Sequence, residues 1–185
     1  MFWELHAPML EDIQQIEVIS GPGGTLYGPN AVNGVISVAS KDAADSQGLI
    51  ARATGGGNER TAAARYGFRL GDSGAMRVYA DYFDRDDEPA AIGPTMNDAI
   101  HGWQAGFRTD LQGEASHATI QGDLFDNRTF LVDGDGNRGR NLLGRWTRDL
   151  TAGSSVQLQA YLRLFPAPLA AHRRHARDVR RRGPV

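Results

Sequence analysis

An alternation of apolar and polar residues with a period of two constrains this chain more than any other feature of its sequence. From Thr61 to Leu70 every even position is apolar, and the odd positions are small or charged. Because successive side chains of a β-strand point to opposite faces, this pattern predicts a strand with one apolar and one polar face. An α-helix would spread the same residues around its circumference. The alternation recurs in four further segments, which are residues 76–83, 101–111, 117–124 and 141–150.

With a less distinct strand at 49–57 and a last one at 156–161, the sequence predicts seven antiparallel strands. Short and long connections alternate along the chain, with short ones at 71–74, 112–116 and 151–155 and long ones at 86–100 and 127–140. Strands of about ten residues, joined by short turns at one rim and long loops at the other, are typical of outer-membrane β-barrels. A soluble antiparallel sandwich is the alternative, because it has the same alternation but turns its apolar face inward.

The two faces of these strands predict two different surroundings. In a barrel, the polar face lines a wet lumen and the apolar face meets lipid. We expect the inward charges to pair with one another and with residues of the N-terminal part, such as Glu17. These inward charges are Arg65, Arg69, Arg77, Asp81, Arg108, Asp110, Asp123, Arg145 and Asp149. The outward aromatic residues, which could anchor at the membrane boundary or pack in a soluble core, are Tyr66, Phe68, Tyr82, Trp103 and Trp146.

The stretch 11–41 has a different character. Two β-branched runs, at 16–19 and 35–38, flank a connector that is rich in Gly, Pro and Asn. This composition predicts two short strands joined by tight turns or a short helix. The prolines fix φ and the glycines permit positive φ, so we expect a connector of defined shape and without catalytic residues.

This stretch carries a family resemblance. Its pattern runs Glu-Asp-Ile from Glu11, then Ile-Glu-Val-Ile, Gly-Pro, Leu-Tyr-Gly and Asn-Ala-Val-Asn-Gly-Val-Ile, and it closes on Lys41. It resembles the end of the plug domain of TonB-dependent outer-membrane receptors. The residues that carry the motif, to which we assign a structural role, are Glu17, Gly21, Pro22, Leu26, Tyr27, Gly28, Asn30, Ala31, Asn33 and Gly34.

The resemblance implies a mainly β fold, in which the end of a small α/β plug domain precedes about seven antiparallel strands of an outer-membrane β-barrel. It divides the chain into residues 1–47 from the plug, residues 48–161 from the barrel, and a tail at 162–185. It also implies a receptor and transporter for a scarce ligand, commonly an iron–siderophore complex. The implied partners are outer-membrane lipid, such a ferric siderophore, and a TonB-type energising protein in the periplasm.

We expect the chain to be a fragment of such a receptor. A transporter with a plugged lumen has about 22 strands, so seven strands leave the barrel incomplete. The start lacks the basic and apolar regions of a signal peptide, and we interpret Met1 as an internal start without the partner-binding box. Residues 162–185 hold seven of the 20 Lys and Arg but one of the 22 Asp and Glu. The alternation stops near Tyr161, so we interpret this Arg-rich tail as disordered or out-of-frame, and we assign no nucleic-acid partner. The isolated chain is expected not to transport.

Other candidate sites are weak, so we predict no cofactor, no metal site and no enzyme. The loop at 21–25 lacks the Lys and Ser or Thr of a phosphate-binding loop. Asp133, Asp135 and Asn137 have the first three spacings of a calcium loop, but Arg138 and Gly144 occupy positions that need Gly and Glu. The remaining alternative function is a soluble β-rich surface or adhesion module.

Overall fold

The computed structural model describes residues 9–28, 31–88, 98–129, 137–151 and 153–164. These residues form two antiparallel sheets and little helix, which confirms the mainly β prediction. The small sheet pairs β1 (Ile13–Ser20) with β2 (Gly34–Ser40). The large sheet has seven strands, which are β3 (Gly48–Gly55), β4 (Glu59–Arg69), β5 (Gly74–Arg85), β6 (Ile100–Gln112), β7 (Ser116–Thr129), β8 (Asn137–Thr151) and β9 (Ser154–Leu164).

The large sheet follows the order of the chain, and each strand is antiparallel to the next. Strands β4 to β9 have between 11 and 15 residues, which is long enough for a tilted membrane strand of about 10. The last strand continues to Leu164, beyond the Tyr161 boundary that the alternation predicted. Arg140 of β8 is the register partner of Leu164, so residues 162–164 still belong to the sheet.

Short helical pieces accompany the small sheet. The helix α1 (Gly24–Tyr27) lies in the connector between β1 and β2. One 3-10 turn, Leu10–Asp12, precedes β1, and a second, Ala43–Asp45, separates β2 from β3. Among the described residues, no helix combines the length and the apolar character needed to cross a membrane.

The large sheet is open within the part of the chain that the structure describes. Strands β3 and β9 each pair with one neighbour only, so each has one edge whose backbone groups have no partner strand. Every residue of β9 is exposed, including Leu158 at 61%. Such an edge is a template for further strand pairing, and in lipid its unpaired N–H and C=O groups would be costly.

The two faces of the large sheet differ as the alternation predicted. On the outer face, large apolar side chains are exposed, as with Trp103 at 46% and Leu124 at 51%. On the inner face, charged and polar side chains are buried, including Arg65, Arg77 and Gln104. This arrangement is the reverse of a soluble sandwich, whose apolar face is buried. It agrees with a sheet that has lipid outside and polar contacts inside.

We call residues 9–28 and 31–47 the N-terminal segment. It meets this inner face mainly at its two 3-10 turns and the residues beside them, whereas most of β1 and β2 is exposed. Part of the small apolar core lies at that contact. Ala43, in the second 3-10 turn, is completely buried, and Met9, Ala75, Ile100 and Phe125 are also buried. Because this core is small, polar contacts hold much of the segment to the sheet.

Candidate functional site

The predicted motif residues form the connector between β1 and β2. Gly21 and Gly28 have φ of 105° and 90°, a region that favours glycine, and this explains two of the motif glycines. A Cβ at Gly34 would lie 2.6 Å from the carbonyl oxygen of Ile19, so this close approach of two strands requires glycine as well.

Backbone hydrogen bonds close the connector on itself. The amide of Gly21 donates to the carbonyl of Asn33 at 3.2 Å, and the amide of Ala31 donates to the carbonyl of Gly28 at 3.1 Å. Ala31 is buried, whereas Pro22 and Tyr27 are exposed. Leu26 belongs to α1, and Asn30 lies outside the described residues, as does most of the oxygen-rich loop considered for calcium.

The most charged contact of the described structure lies where the N-terminal segment meets the inner sheet face. Asp12, at the end of the first 3-10 turn, is 4% exposed. Its carboxylate pairs with the guanidinium of Arg65 on β4 at 3.1 Å and with that of Arg77 on β5 at 3.4 Å. Both arginines are 5% exposed, so one carboxylate of the segment serves two buried cations of the sheet.

A second group of charges lies one strand further along. Arg108 on β6 pairs with Asp42 of the N-terminal segment, and its Nε donates to Asp110 at 2.8 Å. Asp110 also accepts from the backbone amide of Ala43 at 2.7 Å and from the hydroxyl of Thr119 at 2.7 Å. The segment therefore contributes both a carboxylate and an amide to this group.

Backbone and hydroxyl groups of the segment complete the contact. Arg77 donates through Nη1 to the carbonyl of Lys41 at 2.7 Å and to the hydroxyl of Ser46 at 2.9 Å. At the edge of the contact, Glu11 pairs with Arg52 of β3 at 2.8 Å. Charge-assisted hydrogen bonds of this kind are stronger than neutral ones, so the segment is held by directional contacts.

One glycine permits this close docking. Gly67 is buried on the inner face of β4, directly beneath the chain at Ser46 and Gln47. A Cβ on Gly67 would overlap the carbonyl oxygen of Ser46 and lie 2.7 Å from its carbonyl carbon. Only glycine leaves room for the segment at this position.

A cavity of about 120 Å³ lies between the segment and the sheet. Its lining includes Asp12 and Arg77, together with Tyr79, Gln104 and Asp123 of the sheet. The hydroxyl of Tyr79 donates to Asp123 and accepts from the side-chain amide of Gln104 at 2.7 Å. These groups form a hydrogen-bonded network on the inner face, as expected for a lumen-facing surface.

Sequence reasoning identified the arginines of the sheet and predicted that the inward charges pair with one another, as Arg108 and Asp110 do, but it did not identify the partners in the N-terminal segment. The predicted partner, Glu17, is exposed on β1, and its carboxylate accepts from Gln15 at 2.5 Å. The arginines instead meet Asp12 and Asp42. Asp12 directly precedes β1 and Asp42 follows β2, so the two carboxylates lie at the two ends of the small sheet. Their position next to the strand ends was the signal in the sequence that could have identified them as partners of the arginines.

The site has binding character without recognisable catalytic character. Within the described residues, no group of three or more His, Asp or Glu side chains could hold a metal ion. What the arrangement can do is hold a polypeptide segment against a sheet through ion pairs.

Comparison with known proteins gives partial relatives. No family model matches the chain, and no solved structure matches it. An iron-regulated outer membrane virulence protein of Vibrio cholerae is 34% identical over 88 residues, which cover 44% of this chain and 14% of that protein. The vitamin B12 transporter BtuB of Vibrio vulnificus is 26% identical over 113 residues, which cover 56% of this chain and 18% of that protein.

The matched part thus spans less than a fifth of either relative. The relatives agree with the resemblance carried by the 11–41 motif and with the outward apolar and inward polar faces of the sheet. Over about half of its length, the chain is related to the TonB-dependent outer-membrane receptors.

Proposed function

We propose that this chain is the plug-to-barrel junction of a TonB-dependent outer-membrane receptor. In this proposal, residues 1–47 are the end of the plug, and the first barrel strands run from residue 48 to the end of β9 at Leu164, three residues beyond the boundary predicted from the alternation. The remaining residues, 165–185, are a tail outside both. The observation that carries the proposal is the inverted sheet, which exposes apolar residues such as Leu124 and buries Arg65 and Arg77 under the N-terminal segment. A plug inside a barrel needs this distribution, because the lumen is polar and the exterior is lipid.

The parent receptor would import a scarce ligand, for which a ferric siderophore is our first candidate. This choice follows the name of the iron-regulated relative from V. cholerae, and the B12 transporter makes cobalamin the second candidate. The relatives are receptors and transporters, which favours a non-enzymatic role. A TonB-type protein would energise the parent. We further propose that the chain is a fragment and does not import ligand alone.

Outer-membrane lipid would be the partner of the outer face. Tyr82 and Trp103 are register partners, and both are exposed near the rim that carries the long loops. Tyr66 and Trp146 are exposed towards the other rim, near the ends of β4 and β8. Aromatic residues at two levels of the outer face suit the two boundaries of a bilayer.

The ion pairs give the junction a simple mechanical role. A pull on the N-terminal segment would separate Asp12 from Arg65 and Arg77, and Asp42 from Arg108. The freed charges would face a polar lumen in which water can solvate them, so displacement exposes little apolar surface. The contact can therefore hold the segment at rest and still release it under load.

The test is expression of the full chain with an outer-membrane export signal in a strain that lacks the corresponding receptor. We expect the chain to fractionate with the outer membrane and to need detergent for extraction, with ligand uptake at background level. A cooperatively folded protein that is soluble without detergent would overturn the receptor proposal and favour the adhesion module. Uptake above background would contradict the proposed inactivity of the fragment.

A further inference from the structure

Three arginines of the inner face form one cluster across three adjacent strands. Arg77 and Arg108 are direct register partners on β5 and β6, and directly opposed residues lie about 5 Å apart at their Cα atoms. Gly67 of β4 is the register partner of Arg77. Arg65 lies two residues before Gly67 on the same face, so Arg65 is the diagonal neighbour of Arg77. We call Arg65, Arg77 and Arg108 the wall arginines.

Like charges placed opposite each other destabilise a sheet unless anions compensate them. The compensating anions are Asp12, Asp42 and Asp110, so three cations meet three carboxylates. Two of these carboxylates, Asp12 and Asp42, belong to the N-terminal segment, and only Asp110 belongs to the sheet. Among the ion pairs of the cluster, Asp110 of the sheet contacts Arg108, whereas Arg65 and Arg77 both pair with Asp12 of the segment.

The N-terminal segment binds the wall arginines in the way that a separate ligand would. It presents two carboxylates, and Arg77 also binds its Lys41 carbonyl and its Ser46 hydroxyl. The planar guanidinium group of arginine matches carboxylate geometry, and it stays charged at all physiological pH values. A cluster that already binds two carboxylates of its own chain has the donors to bind those of another molecule.

We propose that the wall arginines are a concealed binding site for polycarboxylate anions, which Asp12 and Asp42 occupy at rest and which opens when the N-terminal segment moves away. A ligand with two or three carboxylates would then replace both internal carboxylates at once. This inference rests on the proposed function in one respect, which is that a pull on the N-terminal segment is what moves the segment away from the arginines. The site lies on β4 to β6, so an anionic ligand would meet it inside the lumen.

The test uses the full chain in detergent micelles, with citrate as the probe and calorimetric titration as the measurement. The variant Asp12→Asn/Asp42→Asn removes the internal carboxylates and keeps the size of both side chains. We expect it to bind citrate at least tenfold more tightly than the wild type, and a third substitution, Arg77→Gln, to abolish the gain. The matched control, Glu17→Gln/Glu114→Gln, has the same change of net charge at two exposed carboxylates.

Equal citrate affinity in the two double variants, or a gain that survives Arg77→Gln, would overturn the inference. If the Asp variant does not fold, hydrogen exchange of the wild type decides. Citrate should then accelerate exchange of the amides of residues 41–47 at least threefold over sodium chloride at the same ionic strength, and equal rates would refute the site. Both measurements are independent of membrane location and uptake, so a failure of the proposed receptor function would be seen separately.

Discussion

Gly67 offers the sharpest test of how the N-terminal segment docks on the sheet. The substitution Gly67→Ala adds one methyl group on the inner face of β4, where it would overlap the carbonyl oxygen of Ser46. The atoms in the way are backbone atoms, so no side-chain rotation can relieve the overlap. The segment must move away by roughly one ångström or more, as in other overpacked contacts.

The size of the effect follows from the contacts that such a movement breaks. Arg77 would lose its hydrogen bonds to the Lys41 carbonyl at 2.7 Å and to the Ser46 hydroxyl at 2.9 Å. Hydrogen bonds to charged groups contribute about 1.5–3 kcal/mol each, and overpacking costs about 1–3 kcal/mol. Partial relaxation reduces the sum, and we expect the docking of residues 41–47 to weaken by about 3 kcal/mol.

Hydrogen exchange of the amides in residues 41–47 measures this docking directly. A loss of about 3 kcal/mol corresponds to exchange that is about a hundredfold faster. The matched control is Gly144→Ala on β8, because a Cβ there meets nothing within 4 Å. If exchange of residues 41–47 is the same in the two variants, the close approach of the segment to β4 is wrong.

Three further predictions concern the faces of the sheet and the ion pairs. Asp12→Asn leaves two buried arginines without their shared carboxylate, and it should weaken docking of the segment by about 3–5 kcal/mol in the same exchange assay. The control Glu17→Gln should change the free energy of docking by less than about 0.5 kcal/mol. Leu142→Arg puts a charge on the outer, apolar face and should destabilise the chain folded in vesicles, reducing its free energy of unfolding by about 2–4 kcal/mol in a urea titration. The adjacent Leu143→Arg lies on the opposite face and should reduce that free energy far less. Tyr79→Phe removes a hydroxyl bonded to a carboxylate and an amide, and a loss of about 1–3 kcal/mol in that titration is expected; no measurable loss would contradict the inner network.

Much of the fold follows from the sequence, because the information is local. In a strand the side chains alternate with a period of two, so residues such as Tyr66 and Arg65 are assigned to opposite faces without knowledge of any partner strand. The seven strands and the two kinds of face were predictable for this reason. The end of β9 was not, because Leu164 is held by pairing with Arg140, and the alternation in residues 162–164 is too short to be recognised alone.

The sequence by itself determined that this chain makes amphipathic strands with charges on one side, and that its N-terminal part has two short strands joined by a connector rich in Gly and Pro. Only the tertiary structure decided which carboxylates neutralise the arginines, because Asp12 and Arg65 are far apart in the chain and meet only when the segment lies on the sheet. It likewise decided the role of Gly67, which looks like an ordinary small residue until Ser46 is placed above it. Local periodicity fixes the direction of a side chain, whereas its partner depends on how separate parts of the chain pack together.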